Sequence, residues 1–181
     1  IMLRNAQMIS DLECWVWDKG QAEFSEFYIR FDLSKAPVPK EAKIKRATLT
    51  LYGSRQNQVD PDGKACRYYL GVMREPWKTS MTFQTRPGKP GWFVQIEPEI
   101  KPDLTLVWPY LGGRQTIMPP QPVAIDLTPL KAMVQGWLRE PEGNYGLVVS
   151  PGPGKPYNMS AKGSRCEIVS LRPRLEIEIE R

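Results

Sequence analysis

Lys45-Arg-Ala-Thr-Leu-Thr-Leu-Tyr-Gly53 is the stretch that decides the fold class. Ala47, Leu49 and Leu51 fall on one side of an extended chain, and Arg46, Thr48, Thr50 and Tyr52 on the other, because successive side chains of a strand point to opposite faces. A helix would scatter those three aliphatic residues around its axis, so the segment reads as a strand with one buried face. The same period of two recurs on both sides of it. Over residues 26–33, Phe27, Ile29, Phe31 and Leu33 share the apolar face, with Tyr28, Arg30 and Asp32 opposite. Over residues 174–180, Leu175, Ile177 and Ile179 point inward and Glu176, Glu178 and Glu180 toward water. Residues 12–17, 66–73, 123–127 and 145–150 are further β-prone runs.

Between the strands lie turn signals. Asp60-Pro-Asp-Gly63 and Pro151-Gly-Pro-Gly154 break the chain, and 18 prolines and 14 glycines favour many turns over long helices. One short helix is expected, with Thr128 as its cap and Pro129 as its first residue. Its apolar stripe is Leu130, Met133, Val134, Trp137 and Leu138, at spacings of three and four, and it ends near Arg139, before Pro141. Segment 86–122 carries eight prolines together with Trp92, Trp108 and Tyr110. It is too aromatic for a passive linker and too proline-rich for central strands, so it reads as an elaborated loop with room for short edge strands. No repeat and no second domain is visible. The expectation is one all-β domain over 1–181: an antiparallel β-sandwich, jelly-roll-like, with one short helix.

Composition narrows the function. Hydrophobic residues make up 41% and charged residues 25%, ordinary values for a globular domain. The net charge of +5 comes from scattered residues, apart from a modest cluster at Lys40, Lys43, Lys45 and Arg46. Such a charge reads as a solubilising surface or, more sharply, as attraction to a polyanion, and without a dense basic block or recognition helix nucleic acid is not the expected partner. No apolar run reaches the roughly 18 residues that a membrane span needs. No signal peptide is visible, and the sequence reads as a mature fragment or an excised domain.

The chain has no histidine, which removes the commonest general base and every Ser-His or Cys-His nucleophile arrangement. No acidic pair is set among aromatics as a glycosidase would require. The expectation is therefore no enzyme and no catalytic residue. Cys14, Cys66 and Cys166 form no CxxC pair and fall one thiol short of a Cys-only zinc site; one disulfide with a spare thiol and three buried free thiols are both open. No cofactor is expected. The one metal left open is a structural calcium at Asp60-Pro-Asp-Gly63, whose two carboxylates are far short of the six to eight oxygens calcium takes. Asn158-Met-Ser160 matches the glycosylation acceptor pattern, a triplet common by chance.

The order of several segments resembles the DNRLRE domain family. Arg30-Phe-Asp-Leu33 is similar to that family's strand ending in Arg/Lys-Phe-Asp-Leu, and Ala47-Thr-Leu-Thr-Leu-Tyr52 to the strand that follows it. Residues 77–83 resemble its Trp-x-x-x-x-Thr-Trp segment, with Phe83 in place of the second tryptophan. Asp126-Leu-Thr128, Trp137, Asn144-Tyr-Gly-Leu147 and Gly163-Ser-Arg-Cys-Glu167 complete the pattern, which covers residues 27–179. The resemblance implies a β-sandwich of secreted or cell-surface microbial proteins. It also implies a carbohydrate-binding module of the kind attached to polysaccharide lyases and glycoside hydrolases, some associated with acidic polysaccharides such as alginate. Segment 86–122 is an expansion relative to that pattern, so no family ligand residue carries over there.

Sugar-binding surfaces stack flat rings on pyranose faces and place cations at carboxylate spacing. The candidate ligand-binding residues are Trp92, Trp108, Tyr110, Arg114, Tyr157 and Arg30. Trp77 and Trp137 are expected in the core; Trp15 and Trp17 share one sheet face. The expected function is a non-catalytic carbohydrate-binding module for an acidic, uronic-acid-rich polysaccharide, within an extracellular or cell-surface protein. The alternative is a structural module of a surface layer, filament or shell, as a homo-oligomer or as part of a multidomain protein, because interfaces are enriched in the same aromatics and arginines.

Overall fold

A computed structural model describes residues 11–18, 22–25, 27–56, 66–78, 93–95, 105–108, 120–151 and 158–180. In chain order the described strands are β1 (Asp11–Asp18), β2 (Ala22–Ser25), β3 (Phe27–Ile29), β4 (Ile44–Gln56), β5 (Cys66–Met73), β6 (Phe93–Gln95) and β7 (Thr105–Trp108). They continue with β8 (Gln121–Asp126), β9 (Leu147–Pro151), β10 (Asn158–Lys162) and β11 (Arg174–Ile179). One helix, α1 (Lys131–Arg139), lies between β8 and β9.

The described residues form two antiparallel sheets. The 13-residue β4 is the spine of the first. Thr50 has Ala124 of β8 on one side and Arg174 of β11 on the other; Gly53 has Gln121 of β8 on one side and Ala161 of β10 on the other. One edge of β4 is therefore shared end to end by β11 and β10, while β8 takes the opposite edge. The first sheet continues from β10 to β1 and β2. In the second, β9 lies between β3 and β5, and β7 and β6 share the far edge of β5. Among the described residues, β6 and β7, which lie within segment 86–122, are thus edge strands.

Ala47, Leu49 and Leu51 of β4 are fully buried, as the period of two requires. They join Val123 and Ile125 of the first sheet with Phe27, Ile29, Leu70, Leu147 and Val149 of the second in one cluster. Val134, Trp137 and Leu138 of α1 enter the same cluster, with Leu130 and Met133 half-buried against it. Fully burying an aliphatic side chain is worth about 1.5–3 kcal/mol, so this shared core is the main favourable contribution to the fold.

Four local expectations change. Thr128 does not cap the helix. Thr128–Leu130 form a 3-10 turn and α1 begins at Lys131. Neither the 3-10 turn nor α1 has a side-chain cap; Asp126 Oδ1 accepts the Thr128 N–H at 2.9 Å and so bends the chain into the turn, while the Thr128 hydroxyl accepts the Ala47 N–H at 3.3 Å. The strand expected over 26–33 stops at Ile29. Leu33 starts a 3-10 turn, Leu33–Lys35, because Asp32 accepts the Ser34 N–H and bends the chain. Ile179 is 36% exposed, not inward, because the register with β4 shifts between Glu178 and Ile179, and such a shift re-aims the side chain beyond it. β2 and β10 were not anticipated. The β10 sequence Asn-Met-Ser-Ala-Lys has little apolar alternation, but pairing with β1 and β4 holds both of its edges.

The link from fold to surface is Asn144-Tyr-Gly-Leu147. The buried Asn144 donates from Nδ2 to the Phe31 carbonyl at 2.8 Å and accepts the Gly146 N–H on Oδ1 at 3.0 Å. Gly146 in turn accepts the Met73 N–H at 2.9 Å. One turn therefore ties the exit of β3, the start of β9 and the end of β5. Asn144→Ala leaves the part-buried Phe31 carbonyl and the buried Gly146 N–H without their partners. It is expected to cost about 2–3 kcal/mol, read as a lower urea midpoint with an unchanged slope.

Candidate functional site

β9 reads Leu147-Val-Val149, and all three side chains are buried. A strand with one solvent face would expose the middle one. Val148 pairs with Tyr28 on one side and Gly71 on the other, whereas its neighbours Leu147 and Val149 enter the shared core. Tyr28, Val148 and Gly71 thus form a row on the opposite face of the second sheet. There Val148 and Met73 are covered by three half-buried rings, Tyr28, Trp77 and Tyr145, which form a second and smaller cluster.

Trp77 is the centre of this face. Its indole Nε1 donates to the Tyr145 carbonyl at 2.7 Å, which fixes the ring. The Tyr28 ring lies 5.5 Å from it, tilted at 42°, a favourable arrangement for two aromatic quadrupoles. The Arg30 guanidinium sits over the Trp77 ring, 6.0 Å from its centroid. Such a cation contact is worth about 0.5–1 kcal/mol at an exposed site. Tyr28 and Arg30 approach together because they are two residues apart on the outward side of the same extended segment.

Arg30 is exposed and makes no hydrogen bond or ion pair among the described residues. The nearby carboxylate of Asp32 is held below its ordinary pKa, first by the Ser34 hydroxyl at 2.5 Å and the Ser34 N–H, with smaller contributions from Lys35 and Arg30. Asp32 is thus occupied locally, and the Arg30 guanidinium still presents its donors to solvent. The face can stack an apolar surface on its rings and take a planar anion on its cation.

The expected site residues separate. Arg30 belongs to this face. Trp108 ends β7 opposite Cys66. Trp92, Tyr110, Arg114 and Tyr157 lie outside the described residues, as does Asp60-Pro-Asp-Gly63. Trp137 packs in the core as expected, with 6% exposure. Trp77 does not join that core. It is half-buried on the outer face of the second sheet, because β5 ends at Met73 and the chain folds back over Val148. Tyr145, expected only as the start of the strand over 145–150 and as part of Asn144-Tyr-Gly-Leu147, lies just before β9, and its carbonyl is what orients the indole.

Cys166 is a free, buried thiol, and its carbonyl accepts the Arg172 Nε–H at 2.8 Å. Among the described residues there is no group of three or more Cys, Asp or Glu side chains placed to hold a metal ion. No described helix is long and apolar enough to cross a membrane. No family model matches the chain, and no curated protein matches it.

Proposed function

We propose that this chain is a non-catalytic carbohydrate-binding module of DNRLRE type, folded as a jelly-roll-like β-sandwich, that takes an acidic polysaccharide outside the cell or at its surface. The observation that carries the reading is the Trp77 face: a partly exposed indole, anchored through its own N–H, flanked by Tyr28, with the exposed Arg30 beside it. The rings would stack on pyranose faces, and Arg30 would meet the uronate carboxylate. The net charge of +5 favours a polyanion. Trp92, Trp108, Tyr110, Arg114 and Tyr157 extend the proposed ligand-binding set. A shallow, wet site of this kind gives modest affinity.

Calorimetry against alginate, polygalacturonate and a neutral glucan, at low and high salt, tests this. The wild type is expected to bind the polyuronates, more weakly as salt rises. Trp77→Ala is expected to weaken that binding at least about fivefold, the loss of one base-like stacking contact of roughly 1–3 kcal/mol. Absence of binding to every polyuronate would sink the reading.

One observation favours the assembly alternative. Ile168 and Val169 stand side by side at 59% and 69% exposure, before and within the 3-10 turn Val169–Leu171. Adjacent exposed aliphatic residues suit a protein contact. Concentration-dependent oligomers in sedimentation, combined with no glycan binding, would move the assignment to that role.

A further inference from the structure

We infer that Arg30 sets the specificity of the Trp77 face by lying on the ring until a carboxylate draws it away. This deepens the glycan reading above and rests on it. The geometry makes the indole and the cation compete for one place. Trp77 cannot swing clear, because its Nε1 is committed to the Tyr145 carbonyl at 2.7 Å and Tyr28 packs at 5.5 Å. Arg30 can move, because it is exposed and, among the described residues, makes no hydrogen bond or ion pair, only the ring contact at 6.0 Å and a weaker electrostatic attraction to Asp32. Asp32 does not tie it down, since both of its hydrogen bonds come from Ser34.

A sugar approaching the ring must therefore displace the guanidinium. A neutral sugar offers no replacement for the cation's contact and loses about two- to fivefold in affinity, the equivalent of an exposed cation–ring contact. A uronate offers a planar carboxylate that matches the guanidinium fork, so the cation leaves the ring for the ligand and the ring face is freed at the same time. One residue thus disfavours neutral glycans and favours acidic ones, and specificity is the difference between the two effects.

The test is calorimetry on wild type, Arg30→Ala and Arg30→Lys with polygalacturonate and a neutral glucan. Arg30→Ala is expected to lose about tenfold or more on polygalacturonate and to gain about two- to fivefold on the glucan. Arg30→Lys is expected to bind polygalacturonate more weakly than wild type, because a point charge replaces the fork. An Arg30→Ala variant with no gain on the glucan overturns the inference and leaves Arg30 as a simple charge contact, as does one unchanged on polygalacturonate. A wild type that binds both polymers equally overturns the inference but not the module. Failure of wild type and variants to bind either polymer overturns both.

Discussion

Gly146→Ala is expected to destabilise the protein by about 3 kcal/mol or more, because two separate penalties meet at one atom. Gly146 has φ +85°, a left-handed conformation that costs an alanine roughly 1–2 kcal/mol. The added Cβ would also land on the Ile29 carbonyl oxygen, with the Ile29 carbonyl carbon at 3.0 Å and the Arg30 Cα at 3.1 Å. These neighbours are backbone and cannot rotate aside. Relief requires β3 and β9 to separate, which breaks into the shared core at Phe27 and Ile29. For a chain of this size the loss corresponds to a fall of about 6–12 °C in Tm, measurable by circular dichroism. The Trp77 face should loosen too, since Arg30 is among the atoms displaced. A variant that melts with the wild type would mean that the turn at Asn144-Tyr-Gly-Leu147 does not hold β3 and β9 in register.

Trp137→Ala is the second large loss, about 3–5 kcal/mol, the range for removing a buried tryptophan from a core that only partly collapses. The indole, 6% exposed, fills the space where α1 meets β4, between Val134 and Leu138 on the same stripe. Trp137→Phe should cost clearly less, because most of the volume and all of the apolar character are kept. Urea titration of both variants checks the order. Equal losses would mean that the indole N–H, and not volume, is what counts at this position.

How legible the protein is in its sequence follows from which forces are local. Ala47, Leu49 and Leu51, and the stripe on α1, were readable because one buried face imposes a period, and that period survives in the residue order. Asp126 was readable only as a motif. Its bond to the Thr128 N–H opens the 3-10 turn that delays the helix, and no propensity distinguishes that from a cap at Thr128. β10 was hidden because its residues are small or polar and its place is set by the strands on either side. The Trp77 face was hidden for a related reason. Its hydrogen bond joins residues 68 apart, and the triplet Leu147-Val-Val149, buried on both faces, was the only local hint that something covers the outer side of the second sheet. Tyr28 and Arg30 were correctly placed outward by alternation; nothing local says that Trp77 comes to meet them.

The two-sided role of β4 also bears on how the chain reaches this structure. Its strand partners all lie far downstream, and the Lys45–Glu178 pair at the end of the ladder joins residues 133 apart. During synthesis β4 emerges from the ribosome long before any strand that completes it, with an apolar face and both hydrogen-bonding rims uncovered. Such high contact order predicts slow folding, in milliseconds to seconds, and makes the nascent chain a client for chaperones that shield unpaired strands until the last one arrives.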